Sequence, residues 1–242
     1  MTPGPGGGKR EGQRGGAPAF HPAFEDLPPE IAVFPLPGAL LLPRGRLPLN
    51  VFEPRYLAMT LDSLADTGRM FGMIQPQPGA PAGETGPGLF RAGCLGRLSS
   101  FSETEDGRLL VTLTGVCRFR VAEELPMRRG YRRVRADYAP FRGDLDLSER
   151  PSALDRAALI GALRPFFSAR GIEANWDAME QTSDALLVLT LSMVCPFDPR
   201  EKQALLEVDT PEERASMLVA LLQMGAQAGP QADAGAGGGR PS

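Results

Sequence analysis

The residue types that carry most enzymatic chemistry are sparse in this chain, and they stand apart from one another. There is one histidine, His21, and three cysteines, Cys94, Cys117 and Cys195. None has a neighbour at the close spacing that a zinc site or a redox dithiol needs. His21 lies in a proline-rich leader, so neither a Ser/His/Asp nor a Cys/His arrangement assembles around it. Gly6-Gly7-Gly8-Lys9 lacks both the spacing and the following hydroxyl residue of a phosphate-cradling loop, and Lys202 is the only other lysine. Asp144, Asp146 and Glu149 cluster on what reads as a solvated connection rather than an acid–base pair. The expectation is a protein with no catalytic residue, no cofactor and no metal. An odd number of scattered cysteines is the usage of buried thiols in a reducing compartment, which points to the cytoplasm.

What remains is binding chemistry, in two constellations. Glu53 and Arg55 flank Pro54, and Tyr56 follows; with Phe34, Leu42, Phe52 and Phe101 they could hold an extended peptide by apolar burial and a few polar contacts. The same residues also suit a packed core and a local ion pair at a helix start, so both readings stand at this point. The second constellation is basic: Arg128, Arg129, Arg132, Arg133 and Arg135, with Arg118 and Arg120 upstream, could contact phosphates, making RNA the alternative ligand. Against it, Glu123, Glu124 and Asp137 interleave. The whole chain carries 26 Lys+Arg against 29 Asp+Glu, net −3 with a pI near 5.4. A solvated strand face accounts for such a stretch more simply.

These residues must be positioned by elements that the pattern of 242 residues suggests. Glycine (29) and proline (24) concentrate in a leader over residues 1–22, a loop over 76–88 and a tail over 225–242, all expected to be mobile. Between them the first half, 27–145, reads as strands: Ile31–Phe34, Leu40–Leu42, Leu47–Phe52, Met70–Gln75, Ala92–Phe101, Leu109–Val121 and Tyr131–Phe141. Glu105-Asp106-Gly107 should turn a hairpin, and Gly115 should mark a bulge. One helix interrupts this half, from Pro54 through Leu57, Leu61 and Leu64 to Gly68. The second half, 150–224, reads as helices. Ser152–Asp155 resembles a capping box, Pro165 should kink the helix that follows, and Gly171 should stop it. Thr182 or Ser183 starts another helix, as do Asp198-Pro199-Arg200-Glu201 and Thr210-Pro211-Glu212-Glu213. The longest apolar run, Leu186–Val194, falls far short of the ~20 residues that span a bilayer. No membrane partner is expected. The picture is a barrel-like strand lobe followed by a small helical bundle.

Phe34-Pro35-Leu36-Pro37-Gly38, Leu42-Pro43, Leu47-Pro48-Leu49 and Phe52-Glu53-Pro54-Arg55-Tyr56 resemble the opening of the Lon protease N-terminal (substrate-binding) domain family. The likeness is to the stand-alone bacterial version and continues through Gly93–Arg97, Gly107–Gly115 with Arg118-Phe119, and Pro196–Leu206. The resemblance implies an α+β fold, a PUA-like β-rich pseudobarrel followed by a C-terminal helical subdomain. It also implies a non-enzymatic role in protein quality control, the recognition of unfolded or extended polypeptide. The ATPase and Ser–Lys peptidase motifs of full-length Lon are absent from this sequence. A third expectation is an adaptor whose helical subdomain docks a partner protein such as a protease.

Overall fold

The structure is a computed structural model and describes residues 21–83, 85–148 and 154–227. Its strands are β1 (Glu30–Pro35), β2 (Arg46–Val51), β3 (Met70–Pro76), β4 (Ala82–Gly83), β5 (Gly86–Pro87), β6 (Leu89–Glu103), β7 (Leu109–Arg128) and β8 (Tyr131–Asp137). The main sheet runs β2-β7-β6-β3-β1-β8, with only β1 and β3 parallel, and the second half of β7 pairs with β8. That pairing closes β1, β3, β6, β7 and β8 into a barrel and leaves β2 attached to the first half of β7.

Phe119 fills the barrel because Gly72 and Gly93 give it room: a Cβ at either would sit 2.8 or 2.5 Å from its ring. Ile31, Val33, Leu95, Cys117 and Val134 complete that interior. The Asp-Gly turn joins β6 to β7 with Gly107 at φ +78°. Register slips by one residue beside Gly115, as expected, since Leu95 pairs Cys117 while Gly96 pairs Gly115.

Leu40–Leu42 departs from expectation. It is a buried loop and not a strand, because it lies on β7 too closely for a ladder. A Cβ on Gly115 would stand 2.0 Å from the Leu42 carbonyl oxygen, and Arg44 N donates to the Gly115 carbonyl. The 76–88 segment also differs from a plain loop, folding into the β4–β5 hairpin around Gly86 at φ +112°. The leader residues 1–20 and the Ser152 cap lie outside the described residues.

The helices are α1 (Pro54–Ala65), α2 (Arg156–Arg170), α3 (Trp176–Gln181), α4 (Asp184–Val194), α5 (Pro199–Glu207) and α6 (Pro211–Gln227). Asp155 caps α2, which continues through Pro165 and ends at left-handed Gly171. Asp198 and Glu201 form the expected capping box of α5, and Thr210 and Glu213 exchange the same bonds at α6. The six-residue α3 has no sequence periodicity to announce it; Asn175 caps it and Trp176 packs on Phe167. α6 continues past Gly225, whose carbonyl accepts from Arg170.

Helical residues Leu159, Phe166, Leu191, Leu205 and Leu218 share one continuous core with Leu41, Leu42 and Leu113 of the strand half. Arg118 reinforces the junction, donating to Asp144 and to the Leu206 and Val208 carbonyls at the end of α5. It is 4% exposed, so it is a structural tie and not part of a solvated strand face. No helix among the described residues is long and apolar enough to cross a membrane.

Candidate functional site

Four chain corners converge beside the start of α1. β1 ends at Pro35 and β3 at Pro76; the β4–β5 hairpin and the β7–β8 turn approach from the other side. They enclose a cleft of about 160 Å³ walled by Pro35, Pro37, Pro76 and Pro87, with Tyr56, Tyr131, Arg55 and Arg132 between them. Prolines suit these corners because a strand end needs no further ladder donor.

Pro54 opens α1 as its first residue, and this sets Arg55 and Tyr56 on the cleft. The Tyr56 ring is held between the Phe34 ring, centroids 4.0 Å apart, and the Arg55 guanidinium, 4.6 Å from its centroid. Glu53 holds Arg55 in place by a hydrogen-bonded ion pair at 2.8 Å. Both side chains are about half exposed, so that pair is worth at most about 1 kcal/mol. Burial pushes the Tyr56 hydroxyl above the usual phenol range. It makes no hydrogen bond among the described residues, although it belongs to the lining.

Arg132 is 7% exposed. It donates to both Glu124 carboxylate oxygens and to the Pro87 carbonyl, which fastens the β4–β5 hairpin over β8. Its Nε is buried without a partner among the described residues. Tyr131 donates to Asp62, which also accepts from Arg129. Burial works against the Asp62 charge, but those two hydrogen bonds outweigh it and hold the carboxyl below its ordinary range. Arg129 and Gly130 both have positive φ, the two-residue turn that matches strand twist.

The sequence pattern that defines the ATP-dependent protease La (LON) substrate-binding domain matches residues 30–224. The chain belongs to that family. Among solved structures, it is similar to a Lon N-terminal domain protein from Xanthomonas campestris, with 24% identity over 79% of this chain and 97% of that one, at a TM-score of 0.54. It is also similar to the N-terminal domain of the Lon protease of Mycobacterium avium complex, with 13% identity, coverage of 80% and 97%, and the same TM-score of 0.54. These likenesses establish the α+β fold of sheet and C-terminal helices. No curated protein sequence matches the chain.

Within this substrate-binding-domain fold the residues singled out from sequence separate. Arg55 and Tyr56 line the cleft, and Glu53 orients Arg55. Phe34 and Leu42 are core residues, at 6% and 0% exposure. Phe52 and Phe101 are surface residues, Phe52 beneath Arg108 and Phe101 in register with Val111 of β7. Of the basic set, Arg132 joins the cleft. Arg128 and Arg129 meet Asp62, Arg133 meets Glu30, and Arg135 meets Glu30 and Glu123.

Sequence reasoning missed Pro35, Pro37, Pro76, Pro87 and Tyr131 as wall residues. The prolines signalled corners at strand ends but not which corners meet, and Tyr131 read only as part of a strand. Among the described residues no cluster of three or more His, Cys, Asp or Glu could hold a metal. All three cysteines are buried, and burial pushes Cys117 and Cys195 up to about 12, leaving them protonated and unreactive near neutral pH.

Proposed function

We propose that this chain is a non-catalytic polypeptide-recognition protein, acting in the cytoplasm on extended or unfolded segments. It takes one side chain of such a segment into the proline–tyrosine cleft. The family supports substrate recognition in general, and the apolar walls of the cleft support this reading of where it occurs. Its volume is below the roughly 300–1,000 Å³ of small-molecule sites, so it has room for a single side chain.

The observation that carries the reading is the combination of four proline rings with a tyrosine hydroxyl that has no hydrogen-bond partner among the described residues. Flat apolar walls favour a ring-bearing side chain, and the Tyr56 hydroxyl can bond the adjacent peptide group. Nucleic acid is disfavoured. Arg128, Arg129, Arg132, Arg133 and Arg135 already face Asp62, Glu124, Glu30 and Glu123 at 3.6 Å or less. That leaves little charge to displace counterions from phosphates.

The test is fluorescence anisotropy of labelled extended peptides that differ at one position, Phe, Leu or Ala. The Phe peptide should bind tightest, and the Ala peptide about 30-fold more weakly. Tyr56→Phe, which keeps the ring, should weaken the Phe peptide about fivefold. Equal binding of all three peptides, unchanged in Tyr56→Phe, would remove the cleft from the account.

A further inference from the structure

Among the described residues several strand stretches lack a neighbour on one side, and two of them are treated in opposite ways. β2 pairs only with β7, and its outer edge carries Pro48, which has no N–H to offer. The other of the two is the distal end of β6. β3 accompanies β6 only as far as Arg97, and the last contact is Leu98 N donating to the Arg69 carbonyl. Ser99–Glu103 then runs on, out of register at Ser99 and paired with β7 from Ser100, with no strand along the other side among the described residues. All five residues are exposed. At ~3.3 Å per residue they span the length of an ordinary strand.

Exposed edges are normally blunted by lysine, proline or charge. This one reads Ser99-Ser100-Phe101-Ser102 and carries none until Glu103. We propose that Ser99–Glu103 of β6 takes an extended polypeptide as an added strand, a second contact for the same class of ligand; the proposal rests on the polypeptide-recognition reading.

Phe101 and Glu103 decide what that strand should carry. They are two residues apart and so share a face, Phe101 in register with Val111 and Glu103 with Leu109. Phe101 is 54% exposed, an apolar surface that the described residues leave open. Glu103 and Glu105 make no ion pair among the described residues, whereas Asp106 beside them pairs with Arg108 at 2.7 Å. The complementary strand places an apolar residue opposite Phe101 and, two positions away, Lys or Arg opposite Glu103. Backbone hydrogen bonds supply affinity, and this spacing of apolar and basic residues supplies selection.

The probe is a fluorescein-labelled peptide, Thr-Val-Thr-Lys-Thr-Phe-Thr-Val, which in antiparallel addition sets Lys opposite Glu103 when Phe lies opposite Phe101, titrated into the full chain. The peptide with Glu in place of Lys should bind about fivefold more weakly, and Glu103→Lys should reverse that order. N-methylation of one alternate set of peptide amides should abolish edge binding while the other set is tolerated, because alternate amides face opposite edges. Hydrogen exchange should slow within Ser99–Glu103 when peptide is present. Equal effects of the two methylation sets would overturn the proposal. So would slowing that appears on raising protein concentration without peptide, which would make the edge a contact between copies. Peptide binding that is weakened by Tyr56→Phe but indifferent to Glu103→Lys would defeat the edge and leave the cleft reading standing. No binding of any peptide would defeat both.

Discussion

Asp62 links α1 to the β7–β8 turn through Tyr131 and Arg129, which places one wall of the cleft under the control of a single carboxylate. Its pKa is held below the unfolded value, so between the two the unfolded chain binds more protons than the folded one, and stability rises with pH there. The contribution is complete above the unfolded carboxyl range near ~4 and is lost as pH falls through the folded value. Asp62→Asn should cost about 1–2 kcal/mol in urea denaturation at neutral pH. The difference from wild type should shrink in acid; a constant gap across the pH series would contradict this. A second residue-scale prediction concerns Gly115, where a methyl group would collide with the Leu42 backbone. Gly115→Ala should cost about 3 kcal/mol, measured the same way, because neither the strand nor the buried loop has room to give.

Two serine/aspartate helix starts make a paired prediction at the element scale. Asp198 accepts from Arg200 N and completes a capping box, whereas Ser183 makes no side-chain cap bond. Asp198→Ala should lower stability by about 1 kcal/mol, and Ser183→Ala should change it little in the same denaturation assay. Equal losses would show that geometry, and not residue type, fails as the guide.

The same contrast explains what was legible in the sequence. Capping boxes, the Glu105-Asp106-Gly107 turn, the Gly115 bulge and the α1 start at Pro54 are encoded by neighbours a few residues apart, so spacing alone reveals them. Leu40–Leu42 looks like a strand because apolar burial, not strand pairing, sets its composition. Arg132 hides in a basic run because Glu124, Pro87 and Tyr56 reach it only through the fold. Phe101 and Leu42 are both apolar but opposite in burial, since Leu42 packs on Gly115 of β7 whereas Phe101 lies past the point where β3 leaves β6.

Across the whole molecule, strands and helices share one core, and Arg118 joins β7 to Asp144 and to the last carbonyls of α5. Gln203 and Gln75 add a second bridge through the Ala92 and Pro199 carbonyls. Removing the Arg118 side chain would strip a nearly buried carboxylate of its guanidinium, leaving it only the backbone N–H of residue 118, and would take this donor from two carbonyls. Arg118→Ala should therefore cost about 3–5 kcal/mol in thermal or urea unfolding, and a loss below ~1 kcal/mol would mean the junction does not depend on it. Gln75 stands next to Pro76, so the second bridge ties one wall of the cleft to α5, a fixed wall of the kind the proposed recognition of one side chain calls for.

The most direct test of the cleft as a polypeptide site is an amide NMR titration of the full chain with the Phe-bearing peptide at low and high salt. The account predicts shifts at Tyr56, Gly86, Gly130, Tyr131 and Arg132 that persist in high salt. Shifts confined to other surfaces, or binding that disappears as salt is raised, would contradict it.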